Sequence, residues 1–137
     1  MKKLLLVLLT AVTMAAAGAG CTQEKPLAPG FDEETLEQAT RDVIDDFNEG
    51  QYEEIIARGN SLFQEMLTPE AFFEAVKPYV EGLGVFETVE MMAVSGQKDM
   101  EGNDMALVVA VGNYTDGKLI FLIGFDASMA LTQFYIQ

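Results

Sequence analysis

The chain has 137 residues, half of them hydrophobic, with 8 basic and 22 acidic residues, a net charge of −14, one cysteine, and neither histidine nor tryptophan. That charge repels phosphate backbones and argues against a nucleic-acid partner. Without histidine the commonest acid–base group and metal ligand is missing, so Ser-His-Asp and Cys-His catalysis are excluded within this chain, and the lone Cys21 rules out an internal disulfide.

The first elements are a basic start, Lys2 and Lys3, and an apolar run from Leu4 to Val12 interrupted by Thr10. The run is shorter than the roughly 20 apolar residues of a membrane span. Small residues follow through Ala19 and Gly20 to Cys21. This is the three-part plan of a secretory signal, here residues 1–20 with cleavage between Gly20 and Cys21. The segment resembles a bacterial lipoprotein signal, in which the cysteine becomes the first residue and carries acyl chains. The resemblance implies lipidation of Cys21 and anchorage on the extracytoplasmic face of the cell membrane. One position departs from the usual pattern: Gly18 stands where Leu, Val or Ile is customary. Ala15-Ala16-Ala17 and Ala17-Gly18-Ala19 also fit ordinary signal cleavage and plain secretion. Cleavage leaves 117 residues, enough for one domain with a sound core. Six of the eight basic residues then remain against 22 acids, a net charge of −16. Anionic headgroups repel such a chain, so the acyl chains must hold it at the membrane.

Residues 21–30 contain Pro26 and Pro29 without periodicity and form a lipidated N-terminus and tether, and the domain spans 31–137. Its first helix is predicted over 33–48. Asp32 is the N-cap, Glu33 and Glu34 suit the positive end of the dipole, and Phe31 with Leu36 forms a hydrophobic staple. Leu36, Ala39, Val43, Ile44 and Phe47 share one face, and Gly50 ends the helix. Gln51 to Arg58 forms a second short helix. Ser61 with Gln64 fits a capping box for one more turn through Met66. Thr68-Pro69-Glu70 starts a further helix, in which Pro78 predicts a kink or an end near Lys77.

From Val85 the apolar period becomes two. Strands are predicted from Phe86 to Ser95, Met105 to Tyr114, Leu119 to Asp126 and Leu131 to Ile136. A polar loop from Lys98 to Asp104 and an Asp116-Gly117 turn join the first three. Helices followed by an antiparallel meander give an α+β domain, with N-terminal helices on one face of a curved sheet.

The Asn48-Glu49-Gly50-Gln51-Tyr52 turn, the Leu67-Thr68-Pro69-Glu70 helix start, the Gly84-Val85-Phe86 strand entry and the closing meander resemble the nuclear-transport-factor-2-like superfamily. More closely, they resemble a family of unknown function found in lipoproteins of Gram-positive bacteria and ahead of hydrolase domains. The resemblance covers about residues 31–137. It implies a cone in which helices pack into the concave side of a bent sheet, often leaving a pocket. Candidate pocket residues are Phe47, Tyr52, Phe73, Met91, Val109 and Phe121. The superfamily includes ketosteroid isomerase and many non-catalytic members. No catalytic motif carries over, and Phe73 stands nearest to the aromatic residue, often tryptophan, expected in the third helix.

Asp99-Met100-Glu101-Gly102-Asn103-Asp104 gathers oxygen donors but lacks the EF-hand spacing and is expected to be a solvated hairpin loop, so no metal site is assigned. An isomerase-like site needs a carboxylate in an apolar pocket beside a phenolic donor. Tyr52, Tyr79, Tyr114 and Tyr135 supply phenols, and Glu90 and Asp126 supply acids on strands. Strand two is apolar on both faces, Met105, Leu107, Val109 and Val111 on one and Ala106, Val108 and Ala110 on the other. The second face needs cover, either from a homodimer or protein partner or from the tether or a rim helix. The expectation is a cell-surface lipoprotein without a cofactor, a non-catalytic module for a small apolar ligand or a protein partner. The alternatives are an acid–base enzyme of isomerase type and a structural envelope protein.

Overall fold

In the computed structural model, residues 25–137 are described. The leader expected over residues 1–20 and the lipidation candidate Cys21 lie outside the described residues. Among the described residues no helix is long and apolar enough to cross a membrane.

Four helices precede four strands: α1 (Glu33–Asn48), α2 (Tyr52–Ala57), α3 (Ser61–Met66), α4 (Pro69–Val80), β1 (Phe86–Lys98), β2 (Asp104–Tyr114), β3 (Gly117–Phe125) and β4 (Leu131–Ile136). The strands form one antiparallel sheet in the order β1-β2-β3-β4. The architecture is therefore α+β, as the change of period predicts.

Helix α1 starts where Asp32 accepts hydrogen bonds from the Thr35 amide at 2.9 Å and the Thr35 hydroxyl at 2.8 Å. Those bonds hold the Asp32 carboxyl below its ordinary range. Leu36, Val43, Ile44 and Phe47 are buried, joined by Thr40. At the other end Gly50 takes a left-handed φ of 74°, and its amide donates to the Phe47 carbonyl. The α3 cap differs from the expected one. Asn60, not Ser61, accepts from the Phe63 amide, and Gln64 donates its side-chain amide to the Gly59 carbonyl. Asn60 is fixed there by its own amide bond to the Leu131 carbonyl, a tertiary contact that local spacing does not show. Helix α4 runs through Pro78 to Val80. The carbonyl that Pro78 leaves without a donor is that of Glu74, and both residues are exposed, so this carbonyl stands on the solvent side of the helix.

Strand β1 departs from simple alternation. Register shifts fall between Phe86 and Thr88 and between Val89 and Met91. Glu87 and Glu90 are the extra residues, and the core-facing series becomes Phe86, Val89, Met92, then Val94 and Gly96. Two bulges in an edge strand increase local twist and bend the sheet. The β2–β3 hairpin closes at Tyr114 opposite Gly117, one residue before the Asp-Gly position. The connection into β1 holds it there: the Thr115 amide donates to Val85 and the Asp116 amide to Leu83, at 2.9 and 2.8 Å.

One core lies between the helices and the inner sheet face. It contains Leu36, Ile44, Phe47, Ile55, Phe72, Val108, Phe121, Ile123 and Phe125. Phe47 meets Phe121 edge-on at 5.3 Å. The described end of the tether packs on this inner face. The Gly96 amide donates to the Lys25 carbonyl at 2.8 Å, and Leu27 rests against the core. The outer face carries Leu107, Val109, Val111, Ile120 and Leu122, all half-buried, with Met91 exposed.

Candidate functional site

The turn after α1, the start of α2, the end of α4 and the entry to β1 meet over Tyr114 at one end of the sheet. They enclose a half-open cavity of about 510 Å³. Phe47, Tyr52, Val80, Leu83 and Phe86 give it apolar walls, and Asn48, Glu49 and Tyr114 supply its side-chain polar groups. Each wall follows from local chemistry. Gly50 turns the chain so that Phe47 and Tyr52 come to 6.0 Å between ring centroids. Gly84, with φ of 82°, bends the α4–β1 connection across the cavity mouth. Phe86 packs edge-on against Tyr114 at 5.4 Å.

The polar centre is the pair of Tyr114 and Asn48. The Tyr114 hydroxyl donates to Asn48 Oδ1 at 2.5 Å. Burial, opposed by that bond and reinforced by the neighbouring Tyr52, pushes the Tyr114 phenol up to about 12. Burial also raises Tyr52. Both hydroxyls therefore stay protonated at neutral pH and act as donors. Asn48 Nδ2 is buried without a hydrogen-bond partner. A buried amide donor left unpaired costs roughly 1–3 kcal/mol.

The structure brings together some of the candidate residues and separates others. Phe47 and Tyr52 line the cavity. Phe73 lies 6.1 Å from Tyr52 but is 44 % exposed on α4 and is not part of the lining. Phe121 is fully buried beneath Phe47, a floor residue of the core. Met91 and Val109 are on the opposite sheet face, Val109 because its neighbours Val108 and Ala110 take the inner positions. The Glu90 bulge sets Met92 inward and turns Met91 outward. Asn48, Leu83 and Gly84 were not foreseen as lining. Asn48 reads locally as the last helical residue before a turn, and nothing in its neighbourhood signals a partner 66 positions away.

The carboxylates proposed for acid–base work are engaged elsewhere. Glu90 accepts from the Lys118 ammonium at 2.9 Å on the outer side. Asp126 Oδ1 accepts from the Ser128 amide and hydroxyl and the Ala130 amide, within the β3–β4 turn. Glu49, exposed at the rim, is the cavity's carboxylate. In the β1–β2 loop, Asp99 Oδ1 accepts from the amides of Glu101 and Asn103, and these bonds, led by Asn103, lower its carboxyl. Its Oδ1 thus serves the loop's own backbone, and its Oδ2 accepts from the Asn103 side-chain amide at 3.1 Å.

Small α+β domains with a half-open cavity at one end of the sheet form the class that this fold and site define. Within it, the chain belongs to the family described as protein of unknown function DUF3887, whose model matches residues 40–134. It is also similar to a protein from Ruminococcus gnavus ATCC 29149 solved by NMR. The two share 26 % identity and a TM-score of 0.71 over 82 % of this chain and 96 % of the other. No curated protein matches the chain.

Proposed function

We propose that this domain is a non-catalytic binding module of a cell-surface lipoprotein, with the nuclear-transport-factor-2-like cone as its architecture. Its cavity would hold a small molecule with both apolar and polar parts. The observation that carries this reading is the half-open cavity of about 510 Å³ itself, walled by Phe47, Tyr52, Val80, Leu83 and Phe86 and carrying polar groups from Asn48, Glu49 and Tyr114. That volume lies in the range of small-molecule sites, where a few convergent polar groups orient an apolar ligand. Native mass spectrometry of the chain purified from its own membrane is expected to show a bound small molecule. Val85, 69 % exposed at the cavity mouth, allows a test that spares the core. Val85→Trp is expected to weaken binding of that molecule about tenfold, or about 1.4 kcal/mol. Unchanged binding in this variant, or a ligand-free wild type that no amphipathic compound stabilises thermally, would sink the proposal.

The membrane anchor is part of the same reading and rests on the leader. Two acylation signals hold a protein at a bilayer where one chain holds it only weakly. Cys21→Ala is therefore expected to move the protein from the membrane pellet to the soluble fraction. Full retention in the pellet would overturn the anchor while leaving the cavity untouched.

A further inference from the structure

A second surface, remote from the cavity's polar centre, lies along the free edge of β4. Ile120 and Gln137 exchange both backbone hydrogen bonds, at 2.8 and 3.0 Å. In an antiparallel ladder this alternates, so Tyr135 and Gln133 also point their backbone groups at β3. The N–H and C=O of Phe134 and Ile136 therefore face outward, and no described residue bonds to them. At the start of the same edge the chain supplies its own cover. The Leu131 amide donates to Arg58 at 2.9 Å, and the Asn60 amide donates to Leu131 at 3.0 Å. The ladder is begun there and then left open.

Beside that edge run two adjoining hollows of about 240 and 250 Å³, walled by α3 and α4 and sharing Leu67, Phe134 and Tyr135. No charged side chain lines either one, although 22 % of the chain is charged. Leu62, Met66, Tyr79 and Tyr135 border them, at 61, 72, 47 and 61 % exposure. No carboxylate lines this groove; Glu70 and Glu74 are exposed on the face of α4 turned away from Phe72, Val76 and Tyr79, and the chain around it carries a net charge of −14.

We infer that the β4 edge receives an extended peptide of another protein, apolar at its centre and basic at its flanks, added as a further strand of the sheet. Outward backbone groups bind the incoming main chain, and the flanking hollows take its alternate side chains. The chain's net charge of −14 favours basic flanks on the incoming peptide and disfavours a second copy, which brings the same charge.

The probe is a short fluorescent peptide with alternating valine and threonine between paired lysines. Fluorescence anisotropy is measured with the full chain at low salt. Binding is expected, with hydrogen-exchange protection of the Phe134 and Ile136 amides and loss of affinity as salt rises. Replacing the lysines by glutamates, or methylating the peptide's ladder amides, is expected to weaken it at least about tenfold. Met66→Glu is expected to do the same, whereas Met91→Glu on the outer face is expected to leave binding unchanged. Both positions are exposed, so neither variant should unfold the domain. Equal affinity for the acidic peptide, insensitivity to Met66→Glu, or protection confined to the outer face would each overturn the inference. Protection of Phe134 and Ile136 without peptide, together with a doubled mass by light scattering, would replace the peptide with a second copy.

Discussion

Phe121→Ala is expected to lower folding stability by about 4 kcal/mol and the midpoint of thermal unfolding by roughly 15 °C. Phe121 is fully buried in the third of four strands. Its ring meets Phe47 of α1 edge-on at 5.3 Å and Phe134 of β4 at 6.2 Å. It thus joins helix and sheet, and alanine would leave a void that three separate elements cannot close together. Domains of this size are stable by only about 5–15 kcal/mol, so one such void removes a large share of the total. Urea unfolding followed by circular dichroism measures the loss. Phe73→Ala is the comparison: Phe73 is 44 % exposed, and its removal is expected to cost less than about 1 kcal/mol. Near-equal losses for the two would mean that the core is not centred on Phe121.

Gly84→Ala is expected to cost roughly 2–4 kcal/mol and to open the cavity wall. Two effects add. Gly84 has a left-handed φ of 82°, which an L side chain adopts at about 1 kcal/mol or more. A Cβ there would also lie 1.9 Å from Thr115 Oγ1 and 2.6 Å from Asp116 Oδ2. Thr115 cannot simply rotate away, because its Oγ1 accepts from the Val85 amide at 2.9 Å. Something must give, and the Leu83–Val85 wall, bonded to the same Thr115 and Asp116, shifts with it. Gly82→Ala separates the two effects. Gly82 has φ of 83° but nothing within 4 Å of its added Cβ, so only the backbone strain remains. Chemical denaturation of both variants is expected to show Gly84→Ala the more damaging by at least about 1 kcal/mol. Ligand retention is expected to fall in Gly84→Ala alone. If the two glycines behaved alike, the contact between Gly84 and the β2–β3 turn would carry no weight.

Much of this fold is legible in the chain because the signals are local. Asp32, Thr68 and Pro69 cap and start helices through bonds to residues within three positions, so spacing alone places them. The α1 face and the apolar alternation of β2 and β3 report burial directly, since each element buries one face or two. The failures have equally specific causes. The extra residues Glu87 and Glu90 in β1 break the period of two, and so Met91 is misplaced onto the cavity side. Val109 is misplaced because an inner and an outer series that are both apolar cannot be told apart by pattern. The hairpin at Thr115 and the Asn60 cap moved because backbone bonds from distant segments outweighed local turn preferences.

By itself, then, the sequence determined the order of helices and strands and the absence of histidine. Composition and short-range spacing carry those. Only the tertiary structure decided which apolar face of the sheet is the core, and that Asn48 meets Tyr114. It alone shows that the β4 edge stays open beside an uncharged groove. Each of these depends on groups tens of residues apart, brought together by packing that no local period records.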